Sequence, residues 1–379
     1  MNFSSSIRFL FVMTIVGLMV WFSGCDSDMS QTDGLSGEIN IGLVYPVTGR
    51  LDTFALPIQR GFELALEEVN NSQLDDVRFK FIVEDDQSTV EGAVEAYNKL
   101  IGADVPVIFG PTTSGQAEAA FPIAQQNGVV AFSSSSNATG LSALGDFLFR
   151  AGLTTDILLP SGVKATHATL GYQRAAIIYD DIDSYSIDSY EKFRDTLTEI
   201  GVEILITETF QSGDTDFSAQ LARIKDANPE AIFIAAQQPE LIGIQVQGRQ
   251  LEISTEVPYI TSLISDIKNA GEAAEGSISF AGWISTADTP GNGAFVQKYR
   301  ATYESEPNAW TAQSHAAVHI VAAAIAAAQS TDPTAIRDAL ANTKDFDTVL
   351  GAFSFNDVGD AVYDPIVQIV ENGEFKIFE

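Results

Sequence analysis

The sequence predicts two α/β lobes, each a doubly wound parallel sheet. Three observations lead there. Short apolar runs alternate with segments of helical period in two successive stretches of the chain. The connections between the runs are too long for hairpins, so neighbouring strands should be parallel, with helices as crossovers. Two of the runs end in hydroxyl-rich loops, Thr112-Thr113-Ser114-Gly115 and Ser133-Ser134-Ser135-Ser136-Asn137. In a parallel sheet, loops at the carboxyl ends of strands are where ligands bind. With 379 residues, 45% of them hydrophobic, the chain is long enough for two cores.

The first 25 residues give an address. Arg8 supplies a positive start, Phe9 to Trp21 is a nearly unbroken apolar run, and Phe22-Ser23-Gly24 precedes the sole cysteine, Cys25. The run is too short for a membrane span and suits a signal-peptide core. The position of Cys25 resembles the lipobox of bacterial lipoproteins, which implies a signal at 1–24 and a lipid on Cys25. A single cysteine excludes an internal disulfide. The polar stretch that follows, rich in Ser, Asp and Gly, reads as a flexible tether over 25–38.

The charge is lopsided, with 20 basic against 51 acidic residues and a formal net charge of −31. So acidic a surface argues against nucleic acid and against direct binding to anionic lipid.

The first set of elements begins with the buried-strand run Asn40 to Tyr45. Ile58, Phe62, Ala65, Leu66 and Val69 then share one helical face. Arg78 to Val83 alternates as a strand, Val90, Val94, Tyr97 and Ile101 recur at helical spacing, and strand Val105 to Phe109 follows. Helix Ser114 to Asn127 and strand Val129 to Phe132 extend the set. A second set starts near Thr154. Its strands are Ala175–Tyr179, Glu203–Thr207, Ala231–Ala235 and Pro258–Thr261, with helices marked by Phe193, Leu197 and Ile200, by Phe217, Leu221 and Ile224, and by Pro239. From Trp283 the pattern changes to helices at Phe295–Tyr303, Thr311–Gln329 and Thr334–Ala341, which should return to cover an existing lobe. Strand-like runs at Phe353–Phe355, Ile366–Val370 and Phe375–Phe378 close the chain, with an Asn372-Gly373 turn.

The two hydroxyl loops offer hydroxyls, backbone N–H groups and a helix N-terminus at Ser114, the equipment for a small anionic or hydrogen-bonding head group. Neither loop holds Lys or Arg, and the chain has no GxGxxG fingerprint, so a carboxylate or amide fits better than a phosphate. The bland alternative is that these hydroxyls only cap helices.

At this point the residues resemble a family, the type I periplasmic binding proteins of the branched-chain amino-acid transporters. The anchors are IGLVYPVTG at Ile41 to Gly49, EDDQS at Glu84 to Ser88, GPTTSG at Gly110 to Gly115, GVVAFSSSSNATGLS at Gly128 to Ser142, FLFRAG at Phe147 to Gly152, GDTDFSAQLARIK at Gly213 to Lys225 and AGEAAEG at Ala270 to Gly276. The resemblance implies two lobes joined by three crossings near Thr154, Trp283 and Asp364. Lobe 1 would comprise 39–154 and 283–364, and lobe 2 would comprise 155–282 and 365–379. It implies closure over a small-molecule solute that is handed to an ABC permease and its ATPase subunits, in the periplasm or at the cell surface, with no cofactor.

Carried over residue by residue, the resemblance puts the head-group site on Thr113, Ser114, Ser135 and Asn137. It puts a first-lobe aromatic on Phe54, a second-lobe aromatic on Tyr185, a further wall on Trp310 and a second-lobe contact on Gln237. The departure is Leu263, where similar proteins carry an acid that pairs with the ligand ammonium. A buried ammonium without a partner is costly. Either Asp266 or Asp183 serves instead, or the solute is amine-free, as an amide, urea, a keto acid or an aromatic acid would be. A ligand sensor with the same fold is the competing class.

His315 and His319 stand four apart on a predicted helix, but no adjacent Glu or Cys completes a ligand set, and no metal is expected. His167 reads as a surface residue at a helix end, and Trp283 as either a cleft wall or a hinge marker. Phe62, Phe193, Phe217 and Tyr299 read as core. The chain lacks GxSxG, HExxH and SxxK and has no histidine beside its serine loops, so no enzyme is expected.

Overall fold

The structure, a computed structural model, describes residues 35–72, 77–262 and 267–379. Cys25 with its signal and most of the tether, and Leu263 and Asp266, lie outside the described residues.

The first lobe contains β1 (Gly37–Tyr45), α1 (Ala55–Ser72), β2 (Val77–Asp85), α2 (Val90–Ile101), β3 (Val107–Phe109), α3 (Ser114–Asn127), β4 (Val130–Ser133) and β5 (Leu148–Arg150). Its strands are all parallel, in the order β2-β1-β3-β4-β5. The pleat explains the burial on both faces. Ile39, Ile41, Leu43 and Tyr45 of β1 join one apolar cluster with α1, while Val44 joins another with residues of α2 and α3. A sheet covered on both sides is the setting in which parallel strands with near-continuous apolar runs occur.

The second lobe contains α4 (Thr155–Leu170), β6 (Arg174–Asp180), α5 (Ser184–Glu199), β7 (Glu203–Phe210), α6 (Ser218–Ala227), β8 (Ala231–Ala235), α7 (Gln238–Gln250), β9 (Tyr259–Thr261), the short α8 (Ile267–Ala270) and β10 (Ile278–Ala281). Its parallel strands run β7-β6-β8-β9-β10, the same winding as in the first lobe. In each lobe the strand order reverses once, between β1 and β3 and between β6 and β8. Such reversals open the crevices where α/β sheets bind ligands.

After β10 the chain returns to the first lobe with α9 (Asn292–Tyr303), α10 (Ala309–Ala328) and α11 (Pro333–Ala341), then a small antiparallel sheet of β11 (Phe346–Thr348), β12 (Gly351–Phe355) and β13 (Ala361–Val362). Strand β14 (Ile366–Glu371) then pairs antiparallel with β10 and forms a hairpin with β15 (Glu374–Ile377). Helix α10 is long and apolar enough to span a bilayer, yet most of it is buried. It packs on α1 and α11. Gly61 makes that contact close: a Cβ there would stand 2.4 Å from the Thr311 carbonyl oxygen.

The chain passes between the two sheets three times, at 151–154, 282–291 and 363–365. Tyr363 knits these crossings together. Its hydroxyl donates to the Ala151 carbonyl at 3.0 Å, and its ring lies so close to Gly282 that a Cβ there would meet the hydroxyl at 2.4 Å. Trp283 is buried, with Nε1 donating to Asn292 Oδ1 at 2.9 Å, so it anchors the second crossing to α9.

The elements that escape a reading of pattern alone include α4, β5, α8, β10, β11 and β13. Strand β5 has only three residues, one of them Arg150, and Pro160 interrupts the signal of α4 although the helix continues past it. Arg150 is fully buried. Its guanidinium pairs with Asp360 and donates to Ser142 Oγ at 3.0 Å and to the carbonyls of Ala138 and Ser136 at 2.6 and 3.4 Å. Leaving one member of a buried ion pair alone costs about 3–5 kcal/mol.

Candidate functional site

The hydroxyl loops after β3 and β4 lie side by side because their strands are neighbours. Gly110 permits the first of them: its φ is 100°, and a Cβ there would stand 2.1 Å from the Val44 carbonyl oxygen across the switch point. The N-cap of α3 is Thr113 rather than Ser114. Thr113 and Gln116 form a reciprocal capping box, which fixes the helix start without Ser114. The Ser114 hydroxyl, freed from capping, accepts from the backbone N–H groups of Asn137 and Ala138 at 3.3 and 3.1 Å. Ser135 Oγ donates to the Thr112 carbonyl at 3.0 Å. Ser114 and Asn137 thus meet directly in one cradle and Ser135 is bonded to Thr112, whereas the Thr113 side chain is engaged with Gln116 in the cap.

Asn137 also connects the cradle to the first crossing. Its side-chain amide donates to the Leu153 carbonyl at 2.5 Å, and its own carbonyl accepts from Thr155 N–H at 2.9 Å. A displacement of this loop is therefore transmitted to the segment that joins the lobes.

The aromatic walls meet within the first lobe. Phe54 and Trp310 are both buried, and their rings contact edge to face with centroids 4.2 Å apart. Trp310 stands in the first turn of α10, whose start is capped by Asn308 and Thr311.

In the second lobe, Asp183 caps α5 by accepting from Ser186 N–H and Oγ at 3.0 and 2.8 Å. Gln237, which follows β8 across the switch point, donates to both Asp183 carboxylate oxygens at 3.3 and 3.2 Å. Burial pushes the Asp183 carboxyl above its ordinary value, against the pull of the Ser186 and Gln237 hydrogen bonds. No cation is among the hydrogen-bond and ion-pair partners found for Asp183. Tyr185, two residues on, is buried, and desolvation raises its phenol strongly.

The N-termini of α3 and α5 face each other. Ser184 Oγ donates to Glu118 Oε2 at 2.7 Å, and a Cβ on Gly115 would lie 3.7 Å from Ser184 Oγ. Nearby, Thr139 donates to Asp188 Oδ2 from its N–H at 3.0 Å and from its hydroxyl at 3.2 Å. Farther round, Arg50 Nη1 meets Glu240 Oε1 at 2.7 Å. The lobes therefore touch at three places around the two crevices.

Sequence reasoning passed over Arg150, Asp188 and the Arg50–Glu240 pair. Arg150 alone carried a usable signal, as a lone cation within the apolar run FLFRAG. The other three are charged residues on helices or loops, with nothing in their neighbourhood to separate them from solvated ones. His167, read as a surface residue, is half-buried against Tyr172 at a ring distance of 5.2 Å.

Two similarly wound lobes, joined by three crossings and facing each other with their carboxyl-end loops, define the class of two-lobed solute-binding proteins. A family model described as periplasmic binding protein matches residues 38–371, so the chain belongs to that family. A Leu/Ile/Val-binding protein homologue from Brucella suis is 28% identical over 85% of this chain and 87% of its own length. The crystal structure of a leucine-binding protein from Thermotoga maritima superposes with a TM-score of 0.85 at 27% identity, covering 90% of this chain and 98% of that one. A branched-chain amino-acid transporter substrate-binding protein from Streptococcus pneumoniae, solved with isoleucine, gives a TM-score of 0.84 at 27% identity and the same coverage.

One further acid stands at the carboxyl edge of the first sheet. Asp86 is fully buried; its Oδ1 accepts from Ser88 N–H at 2.8 Å and its Oδ2 has no hydrogen-bond partner. Burial pushes this carboxyl up to about 6. A carboxyl raised on folding binds its proton more tightly in the folded chain. Its contribution to stability is therefore complete below the unfolded value near 4 and is lost as pH rises through about 6, a change on the order of 3 kcal/mol. Asp86→Asn keeps the Ser88 bond and removes the titration. Urea melts are expected to show the variant more stable than wild type at pH 7.5 and similar to it at pH 4. Equal stability at both pH values would mean that Asp86 is ionised at no cost.

Proposed function

We propose that this extracytoplasmic solute-binding protein takes an aliphatic amino acid of the branched-chain class between its lobes and delivers it to an ABC permease. The observation that carries the reading is the opposition of two unlike surfaces. The α3 side gathers the Ser114 and Ser135 hydroxyls and the Asn137 N–H, whose present partner is Ser114 Oγ, suited to a carboxylate that takes over that bond. The α5 side supplies the half-buried Asp183 carboxylate, suited to an ammonium. In this reading Asp183 takes the role of the acid replaced by Leu263, and Phe54, Trp310 and Tyr185 line the apolar side chain. The names of the relatives support the same substrate class.

Asp183 and Gln237 belong to the second lobe and the cradle to the first, so a solute touching both binds the closed arrangement better than an open one. That differential affinity is what shifts the population towards closure. The second reading, an amine-free solute, is motivated by the apolar Leu263.

A thermal-shift panel separates the two. Leucine, isoleucine and valine at a hundred times their dissociation constants should stabilise the protein by about 2.7 kcal/mol, and the corresponding keto acids should not. Asp183→Asn should weaken the amino acids by about tenfold, as loss of a charge-assisted hydrogen bond costs about 1.5–3 kcal/mol. A shift given only by keto acids, amides or benzoate would contradict the amino-acid reading.

We further propose that the chain is anchored as a lipoprotein through Cys25, on the strength of the apolar run and small residues that precede it. Cys25→Ala should move the protein from the membrane fraction to the soluble one. Retention in the membrane fraction would remove the lipid assignment.

A further inference from the structure

We infer that Glu68, His315 and His319 form a binding site for a divalent late-transition cation, zinc above all, which clamps α1 to α10. The two histidines stand one helical turn apart on α10 and point to one carboxylate oxygen of α1: Glu68 Oε2 lies 2.9 Å from His315 Nε2 and 3.1 Å from His319 Nε2. All three candidate ligand atoms lie within 4.8 Å of one another. Ligands about 2.0–2.1 Å from a tetrahedral zinc are roughly 3.3 Å apart, so a cation could enter after small side-chain rotations. The third ligand is invisible in the sequence because Glu68 precedes His315 by 247 residues.

The surroundings favour such a centre. Lys298 holds the other carboxylate oxygen, Oε1, at 3.2 Å, which orients Oε2 towards the imidazoles. The Phe295 ring lies 4.6 Å from that of His315, and the His315 and His319 rings are 4.6 Å apart, so both imidazoles are held by packing. The side chain of His315 is 7% exposed, but those of His319 and Glu68 are 18% and 27% exposed, which gives the ion a route from solvent. Imidazole nitrogens with one carboxylate oxygen suit zinc, copper, nickel or cobalt better than calcium or magnesium. Three protein ligands leave the fourth position to water. His315 Nδ1 has no hydrogen-bond partner, and lack of support behind a metal-bound imidazole weakens affinity by roughly 10–100-fold.

The site is separate from the solute crevice. Glu68 lies 14 residues beyond Phe54, or roughly 20 Å at the rise of an α-helix. It nonetheless joins α10, which carries Trp310, to α1, which begins directly after Phe54, so a bound ion would stiffen the aromatic wall from behind.

The test uses the full chain without a histidine tag, stripped with chelator and dialysed. One equivalent of zinc should raise the melting temperature, and one equivalent of cobalt(II) should give the intense visible bands of a tetrahedral N/O site. Glu68→Gln and His319→Gln should lose both responses. His319 is the decisive position, since it is partly exposed and its variant should fold. No thermal or optical response in the wild type would overturn the site and leave a simple hydrogen-bonded triad. Responses undiminished in both variants would also overturn it, as adventitious surface binding.

Discussion

The buried guanidinium of Arg150 is the constraint on which the solute crevice depends. It brings together β5, the loop at Ser136 to Ala138, Ser142 and Asp360, which lies just before the third crossing. Taking a charge out of water is expensive, and here the cost is offset by a carboxylate partner and a ring of acceptors. In return the loop is held from behind through its carbonyls. Its N–H groups at Asn137 and Ala138 then point to Ser114, which capping by Thr113 has left free.

The same loop is tied to the first crossing through Asn137, and the crossings are tied to one another through Tyr363. The proposed recognition loop and the hinge are therefore built from adjoining residues. The contacts between the lobes are polar and partly exposed. Ser184 and Glu118, for example, meet in an exposed hydrogen bond, whereas Glu240 is buried beside the partly exposed Arg50. Exposed contacts of the Ser184–Glu118 kind are worth about 1 kcal/mol or less. Reversing a two-state population from 1:99 to 99:1 needs about 5.5 kcal/mol, so the solute must supply most of the bias towards closure.

Much of this was legible in the sequence. The strands of both lobes show as apolar runs, the helices as 3.6-residue faces, and Phe62, Phe193, Phe217 and Tyr299 are core as their spacing implies. The cradle was legible because two hydroxyl loops follow adjacent strands. What was not legible depends on contacts between distant segments. Nothing near Glu68 announces two histidines on a helix 247 residues later, and nothing near Arg50 announces Glu240. Strand β5 was hidden because a buried arginine looks polar until its partners are known. Thr113 and Ser114 are both good capping residues, and the reciprocal bond from Gln116 decides for Thr113.

A crystal structure grown with isoleucine would bear most directly on the central claim, that a carboxylate and an ammonium are divided between the two lobes. The account predicts the ligand carboxylate within about 3 Å of the Ser114 and Asn137 cradle, and its ammonium at a similar distance from Asp183, the usual range of charge-assisted hydrogen bonds. An ammonium turned away from Asp183, or a ligand outside the interlobe crevice, would contradict it.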